Sequence, residues 1–405
     1  MIKYKVVILV LFLLGSLNAQ MTWNQATANA PWSAREMHSS VLFDDKIWIM
    51  GGVDAYLLRN DVWYSLDGVI WTQAIANAGW TARDGHTSVS FDNKMWMIGG
   101  SWRNDVWYSA DGVNWTCATA NAGWSARYRN TSVVFDNKMW VIGGHSSASP
   151  IWRNDVWYST DGVNWACATA NAGWSGRHGH TSVVFDDKIW VMGGYDGGQR
   201  NDVWYSTDGV NWTCATTNAG WVSRSSHTSV VFDNKMWVIG GSFINDVWYS
   251  VNGVNWTEAV NNAQWSARVG HASVLFDNKV WVLGGYDNSS SHFRNDVWYS
   301  TGLGIEEYRQ TLTTNRFSLN AEPNPIRNQT AIRYSLPSQG NISLSIYDIS
   351  GKLIKTLVNE NKLPGDYSVR WDSKDEHERA VARGVYFVKV SSENHSQIEK
   401  LVVIR

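Results

Sequence analysis

The feature that most limits how this chain folds is a sequence unit that recurs six times. One copy, Arg177–Trp212, reads RHGHTSVVFDDKIWVMGGYDGGQRNDVWYSTDGVNW. Its glycine pair recurs at intervals of 44 to 50 residues, beginning at Gly51, Gly99, Gly143, Gly193, Gly240 and Gly284. Intervals of this length are typical of solenoids, propellers and linear arrays, in which each repeat is one supersecondary unit.

Each repeat has the pattern of four short strands. The apolar, β-branched run His180–Phe185 ends at the polar turn Asp186–Lys188, and a second apolar run leads into the glycine pair. Val203–Ser206 and the residues around Trp212 form the third and fourth runs, bounded by Asn, Asp and Gly. Such boundaries indicate antiparallel hairpins. Six four-stranded units arranged around one axis predict a β-propeller.

The same landmarks resemble the kelch repeat. Gly51-Gly52 is followed by Tyr64 and, seven residues later, by Trp71, and an Arg-x-x-His-x-Ser motif that begins at Arg35 precedes them. The resemblance covers residues 22–301. It implies a galactose oxidase-like propeller, a fold group that includes a copper oxidase and sugar mutarotases.

The two ends of the repeat region predict ring closure. Residues 23–29 match the fourth strand of the other repeats, whereas the last repeat stops after its third strand at Ser300. Pairing the two would remove two open sheet edges. We therefore predict an all-β protein, with a six-bladed kelch-type β-propeller at residues 20–301 closed by an N-terminal outer strand. A linker at residues 302–317 and a small β-sandwich domain at residues 318–405 follow.

The N-terminus predicts export. Lys3 and Lys5 precede nine apolar residues, Val6–Leu14, and a small-residue segment that ends at Ala19. This is the pattern of a signal peptide at residues 1–19, too short to span a membrane. We expect a secreted protein without a transmembrane span. The net charge of −2 gives no electrostatic case for nucleic acid.

Aromatic and sulfur-containing residues follow the repeat. The chain has 27 tryptophans, and all but Trp102, Trp152 and Trp371 occupy four equivalent positions, which predicts aromatic packing within and between blades. The three cysteines, Cys117, Cys167 and Cys214, share one position of the outer strand. This pattern indicates neither a disulfide framework nor a catalytic thiol.

Length variation is confined to the loop between the second and third strands of each repeat. These loops are residues 53–59, 101–103, 145–153, 195–200, 242–244 and 286–294. Alternating strand direction puts them all at one end of the propeller, here called the variable face, while the hairpins at the other end are nearly constant. Binding sites are usually carried by loops on a rigid scaffold.

The candidate ligand-binding residues lie on the variable face. Six arginines at equivalent positions are expected to ring the channel mouth, and aromatic residues accompany them. The arginines are Arg35, Arg83, Arg127, Arg177, Arg224 and Arg268, and the aromatic residues are Trp102, Tyr128, Trp152, Tyr195, Phe243 and Tyr286. Guanidinium groups and flat rings would suit a carboxylate-bearing glycan or an acidic peptide. Alternatively, each arginine holds a neighbouring loop by bonding backbone carbonyls.

Catalytic and metal sites are less well supported. Five histidines and Asn130 recur on the innermost strand, but equivalent positions around a ring do not converge on one metal ion, so we expect no metal and no cofactor. We can place no tyrosine–cysteine pair with copper ligands of the oxidase type. A mutarotase would need an acid–base pair at the mouth, for which Glu36, Asp84 or His178 would serve.

The C-terminal segment resembles the type A sorting domain of the type IX secretion system. The matching stretches are Glu322–Pro325, Ser345–Gly351, Gly365–Tyr367, Ala382–Phe387 and Lys400–Arg405. The resemblance implies that type IX machinery carries the protein across the outer membrane. The strand pattern alone would equally suit an adhesive immunoglobulin-like module.

The sequence therefore favours an extracellular or cell-surface recognition module that binds a glycan or protein ligand through the variable face. The alternatives are a sugar mutarotase or epimerase at the propeller mouth and a purely structural surface protein. Catalysis stays uncertain, and binding is favoured over it.

Overall fold

The computed structural model describes residues 21–289, 292–301, 318–322, 324–326, 329–336, 340–363, 365–377, 379–392 and 396–404. The expected signal peptide and linker lie outside these residues. The described chain forms two compact units, which divide between residues 303 and 304. The regular secondary structure of the described residues is entirely β-strand. These residues include no helix long and apolar enough to cross a membrane.

Each repeat forms four antiparallel strands, which we call a blade and number along the chain. The first strands are Ser39–Phe43, Thr87–Phe91, Thr131–Phe135, Thr181–Phe185, Thr228–Phe232 and Ala272–Phe276. The second strands are Lys46–Met50, Lys94–Gly100, Lys138–Ser146, Lys188–Tyr195, Lys235–Gly241 and Lys279–Asp287. The third strands are Val62–Ser65, Arg103–Ser109, Trp152–Ser159, Gln199–Ser206, Ile244–Ser250 and Phe293–Thr301. The fourth strands are Trp71–Ile75, Thr116–Thr119, Ala166–Thr169, Thr213–Thr216, Thr257–Val260 and, for the last blade, Thr22–Thr27.

Local sequence explains the hairpins between first and second strands. In the fourth blade both turn residues, Asp186 and Asp187, have positive φ values of 50° and 52°. Two-residue hairpin loops with positive φ at both positions match the right-handed twist of the strands, and Asn and Asp tolerate that conformation. Four further two-residue strands, Arg35–Glu36, Val53–Asp54, Arg127–Tyr128 and Arg268–Val269, lie near the variable face.

The six first strands contact one another in sequence, and the last contacts the first, so the repeats close into a ring. The N-terminal strand completes the last blade, as predicted. Trp23 lies opposite Ser300, in the register that Trp71 and Ser65 have in the first blade. All-β architecture and a kelch-like propeller are thus confirmed.

Tryptophans hold neighbouring blades together. The tryptophan that precedes each arginine motif is 1% exposed and meets a fourth-strand tryptophan edge-on, as Trp174 meets Trp212 with ring centroids 5.9 Å apart. Trp265 and Trp23 repeat this geometry at 5.9 Å. Edge-to-face contacts add about 0.5–1.5 kcal/mol to the gain from burial.

The C-terminal unit is a small β domain of two sheets. One sheet contains Ser318–Glu322, Thr330–Leu336 and Gly365–Trp371, and the other contains Leu353–Lys362, Gly340–Asp348, Gly384–Ser391 and Ser396–Val403. Its core includes Trp371 and the alternating Ile342, Leu344 and Ile346. The three apolar residues of this strand are buried as the predicted period of two requires, but Ser345 between them is buried as well.

Candidate functional site

The six arginines proposed as ligand contacts are buried. Arg35 is fully enclosed, and its two terminal nitrogens donate to the carboxylate of Asp61 at 2.6 and 2.8 Å. It also donates to the carbonyl oxygens of Gly51 and Ser33. The same pairing recurs in every blade, with Asp105, Asp155, Asp202, Asp246 and Asp296 as the acids.

This geometry corrects the expectation that Arg35, Arg83, Arg127, Arg177, Arg224 and Arg268 grip a ligand. Their donors are already used inside each blade, which is the structural role considered for them, with an aspartate as an additional acceptor. Burial alone would raise the pKa of Asp155, but hydrogen bonds and the charge of Arg127 outweigh it and lower the pKa. Removing one partner of such a pair would leave an uncompensated buried charge.

The channel along the propeller axis is polar and uncharged. A cavity of about 220 Å³ is lined by one histidine or asparagine and two further residues, mostly Ser and Thr, from each first strand. We call the five histidines and the asparagine of this lining the inner polar ring: His38, His86, Asn130, His180, His227 and His271. Burial, followed by the charge of the nearby arginine, lowers the pKa of His86 and His180 to about 3. The described residues contain no cluster of three or more His, Cys, Asp or Glu that could hold a metal ion.

A closed ring of backbone hydrogen bonds surrounds the axis next to the inner polar ring. The amide of Met37 donates to the carbonyl of Gly270, that of Gly85 to Met37, and that of Arg129 to Gly85. Gly179, Ser226 and Gly270 continue the series to its start, with N–O distances of 2.7–3.2 Å. All six residues have φ between 53° and 61°. We call this the backbone ring, and it forms the floor of the mouth.

Glycine alternates with larger residues around the backbone ring because the axis has little room. A Cβ at Gly270 would lie 2.7 Å from the Glu36 carboxylate, and one at Gly85 would lie 3.0 Å from the Tyr128 ring. Met37, Arg129 and Ser226 are therefore the only side chains that the ring places at the floor. Arg129 contacts both others, with Nη1 3.4 Å from the Ser226 hydroxyl and Nη2 3.3 Å from the Met37 sulfur.

Four of the six predicted aromatic residues meet at the mouth and enclose two histidines. The ring centroids of Trp102 and Tyr128 are 4.6 Å apart, and Trp102 lies 4.8 Å from His145. His178 continues the cluster to Tyr195 at 5.5 Å, and Tyr195 meets Trp152 at 5.9 Å. We call these six residues, from blades two to four, the mouth aromatic cluster. Trp102 is 42% exposed although it is a large aromatic residue.

The other two predicted aromatic residues form a separate group. The rings of Phe243 and Tyr286 are 6.3 Å apart, and Tyr286 also stacks on His292 at 5.1 Å and meets Phe293 edge-on. This group comes from blades five and six. The loop of blade one adds exposed apolar residues, of which Tyr56 is 88% and Leu57 61% exposed.

The candidate acids and base differ in their environment. Burial raises the pKa of Glu36 to about 7, against the positive charge of Arg129, and the negative charge of Asp84 adds to the rise. Burial lowers the pKa of His178 to about 4, and the charges of Arg129 and His145 lower it further. Asp84 accepts a hydrogen bond from Ser101 at 2.7 Å. Glu36 is the group at the mouth that changes charge near neutral pH.

Sequence reasoning did not select Arg129 or His145 as site residues. Arg129 belongs to a variable residue pair between the conserved arginine and histidine positions, and His145 opens the third variable loop. The alternation Met37, Gly85, Arg129, Gly179, Ser226, Gly270 was visible in the sequence and marks the floor. The cysteines are unpaired, with Cys117 and Cys167 exposed.

Comparison with known families agrees with this architecture. The KLHDC2/KLHL20/DRC7 Kelch-repeats domain matches residues 71–241 and 179–332, and the FlgD Ig-like domain matches residues 327–396. No curated protein matches the chain.

A solved structure gives the fold independently. The protein described as "Structure of YjhT" superposes with a TM-score of 0.56 at 15% sequence identity. The match covers 67% of this chain and 96% of that one. At this identity the similarity supports the shared fold and no more.

Proposed function

Because this chain belongs to the kelch-repeat family, we propose that it is a recognition module that binds a glycan or protein ligand through the variable face. The observation that carries the proposal is the mouth aromatic cluster. The variable loops of three successive blades supply four of its rings, and Tyr128 and His178, which follow repeated arginines, join them into one continuous group.

The form of the mouth supports binding. The backbone ring surrounds the axis at the base of the mouth, and a cavity of about 120 Å³ is lined jointly by this ring and the inner polar ring. Trp102 presents an exposed face, while Tyr128, His145 and His178 behind it are half-buried and constrained by one another. Flat, rigid rings that lose little conformational freedom are effective contacts for sugar rings and for peptide side chains.

We further propose that the protein acts outside the cell. The charged and apolar pattern of residues 1–19 supports export, and the sorting motifs between Glu322 and Arg405 support type IX secretion machinery as a partner. The FlgD Ig-like match agrees with a small β domain at that end. The propeller would then meet its ligand at the cell surface or in the medium.

Binding of the purified protein to a glycan and peptide array tests the proposal. Changing Trp102, Trp152 and Tyr195 to Ala should weaken binding of the array ligand, by about 2 kcal/mol or more for an aromatic anchor. The matched controls are Asn93→Asp and Asn137→Asp on the opposite hairpins, where Asp45 and Asp187 are the natural equivalents. Aromatic variants that melt normally and still bind at full affinity would contradict the proposal.

A second candidate, a sugar mutarotase or epimerase, rests on Glu36. A carboxyl group with a pKa near 7 at the mouth can both donate and accept a proton at neutral pH. If this candidate is right, the protein should accelerate anomer exchange of a free sugar in NMR exchange spectra, and Glu36→Gln should abolish the acceleration. Unchanged exchange rates across a panel of free sugars would exclude it.

A further inference from the structure

Arg129 is the arginine of the backbone ring, and its buried Nε has no hydrogen-bond partner among the described residues. Among the described residues, no carboxylate lies within ion-pair distance of it, in contrast to the six arginines of the repeat. Its contact with the Ser226 hydroxyl is long, and the sulfur of Met37 is only a weak acceptor. A guanidinium carries five N–H donors, so most of this capacity is unused in a partly buried position.

The fold holds Arg129 on the propeller axis. Its amide donates to Gly85 at 2.7 Å, and its carbonyl accepts from Gly179 at 3.2 Å, so the closed backbone ring fixes its main chain. Both neighbours in the ring are glycines, and the Tyr128 ring and the stem of Arg129 itself occupy the space beside Gly85. The guanidinium also lies over the Tyr128 ring, 5.4 Å from the centroid. A charged group held this way needs little reorganisation when it binds a ligand.

The surroundings favour an anionic partner. Arg129 is half-buried beside the Tyr128 ring, and the lowered pKa of His178 leaves that side chain uncharged at neutral pH. The planar fork of an arginine matches the two oxygens of a carboxylate. In a partly dehydrated position such a bond is stronger than it would be in bulk water.

We propose that the mouth binds a carboxylate group of its ligand on Arg129, with the Ser226 hydroxyl as a second donor and the mouth aromatic cluster against the body of the ligand. The inference rests on the proposed function and names the chemistry of its ligand. The carboxylate can belong to an acidic sugar or to a compound with a flat aromatic body.

Glu36 competes with that carboxylate. The charged groups that act on it are Arg129 and Asp84, while the last blade presents the uncharged Gly270 beside its carboxylate. A second negative charge near Arg129 raises the pKa of Glu36 above its value of about 7. Ligand binding therefore takes up a proton, and affinity should increase as the pH falls from about 8 to about 6.

Calorimetric titration of the full-length protein with defined probes tests the proposal. Glucuronate is compared with methyl glucoside, and benzoate with benzamide, so that each carboxylate has a neutral partner. We expect at least one carboxylate to bind more tightly than its partner, and Arg129→Gln to weaken that binding by about tenfold or more. The probe that binds, glucuronate or benzoate, shows whether the ligand is an acidic sugar or a carboxylate with a flat aromatic body.

Three further variants sharpen the test. Glu36→Gln should bind the carboxylate at least as well as the natural protein and lose the pH dependence between 6 and 8. Arg129→Lys keeps the charge without the fork and should lose part of the affinity. Arg103→Gln removes an exposed arginine of the same face and should change affinity by less than about twofold.

The outcomes separate this inference from the proposed function. Equal binding of carboxylates and neutral partners, or full affinity in a normally folded Arg129→Gln protein, overturns the inference. The proposed function then still stands if the array ligand depends on Trp102, Trp152 and Tyr195. If Arg129→Gln does not fold, Arg129→Lys replaces it in the comparison. Full carboxylate affinity of Arg129→Lys, together with an unchanged pH profile of Glu36→Gln, then overturns the inference.

Discussion

At the scale of single residues, the inner polar ring shows how one repeated position is completed by its neighbour. The Nε2 atom of His86 lies 2.9 Å from the Ser39 hydroxyl of the preceding blade, and His180, His227 and His271 have the equivalent contacts to threonines. His38 lacks this contact because the equivalent residue of the last blade is Ala272. A buried ring nitrogen without a partner costs stability.

The missing hydrogen bond of His38 leads to a prediction for Ala272→Thr. The new hydroxyl should bond the His38 Nε2 atom and increase the free energy of unfolding by about 1 kcal/mol, the typical net value of one buried hydrogen bond. Chemical denaturation at neutral pH measures the change. Thr228→Ala is the matched control and should lower stability by a similar amount, because it removes the partner of His271. Lower stability of Ala272→Thr would mean that the channel has no room for the added atoms.

At the scale of elements, the N-terminal strand is the part on which closure depends. It pairs along the third strand of the last blade from Thr22 to Thr27, and Trp23 is 3% exposed in contact with Trp265. Without it, the third strand of the last blade would present unpaired amides and carbonyls, and a buried tryptophan of the adjoining loop would meet water. Open strand edges of this kind recruit other chains.

Deleting Met21–Asn29 should therefore produce an aggregating protein with a lower thermal midpoint. Light scattering together with size-exclusion chromatography measures the association state. The matched control removes only residues 1–20 and should remain dispersed, since every strand of the ring is retained. A dispersed protein of normal thermal stability after the larger deletion would show that closure does not depend on this strand.

At the scale of the whole molecule, the propeller and the C-terminal unit are separate compact bodies. The C-terminal unit has its own core, centred on Trp371, Leu344 and Val388. The motifs that resemble a type IX sorting domain all lie in this unit. Folding of the propeller and delivery of the protein are accordingly expected to depend on different parts of the chain.

Removing Ser318–Arg405 should leave a folded propeller that stays in the periplasm of a bacterium with type IX machinery. Cell fractionation and protease accessibility measure the location, and the circular dichroism spectrum of the purified fragment reports on its folding. The full-length protein, expressed in parallel, is the control. Surface delivery of the truncated protein at the normal level would contradict the sorting role that we propose for this unit.

The sequence alone was sufficient for the repeat, the all-β fold, the strands and the closing strand. These properties follow from local patterns, since hairpin turns and period-two burial are set by neighbours in the chain. It did not show that the aromatic residues proposed as ligand contacts divide into two separate groups.

Only the tertiary structure decided which polar groups are free. Arg35 and Asp61 are 26 residues apart in the chain, and their repeated pairing uses the donors of all six conserved arginines. In the sequence, Arg129 is one member of a variable residue pair. In the structure, it is one of six residues from six blades that form one hydrogen-bonded backbone ring. Availability for a ligand depends on what else a side chain touches, and for these residues the contacts come from distant parts of the chain.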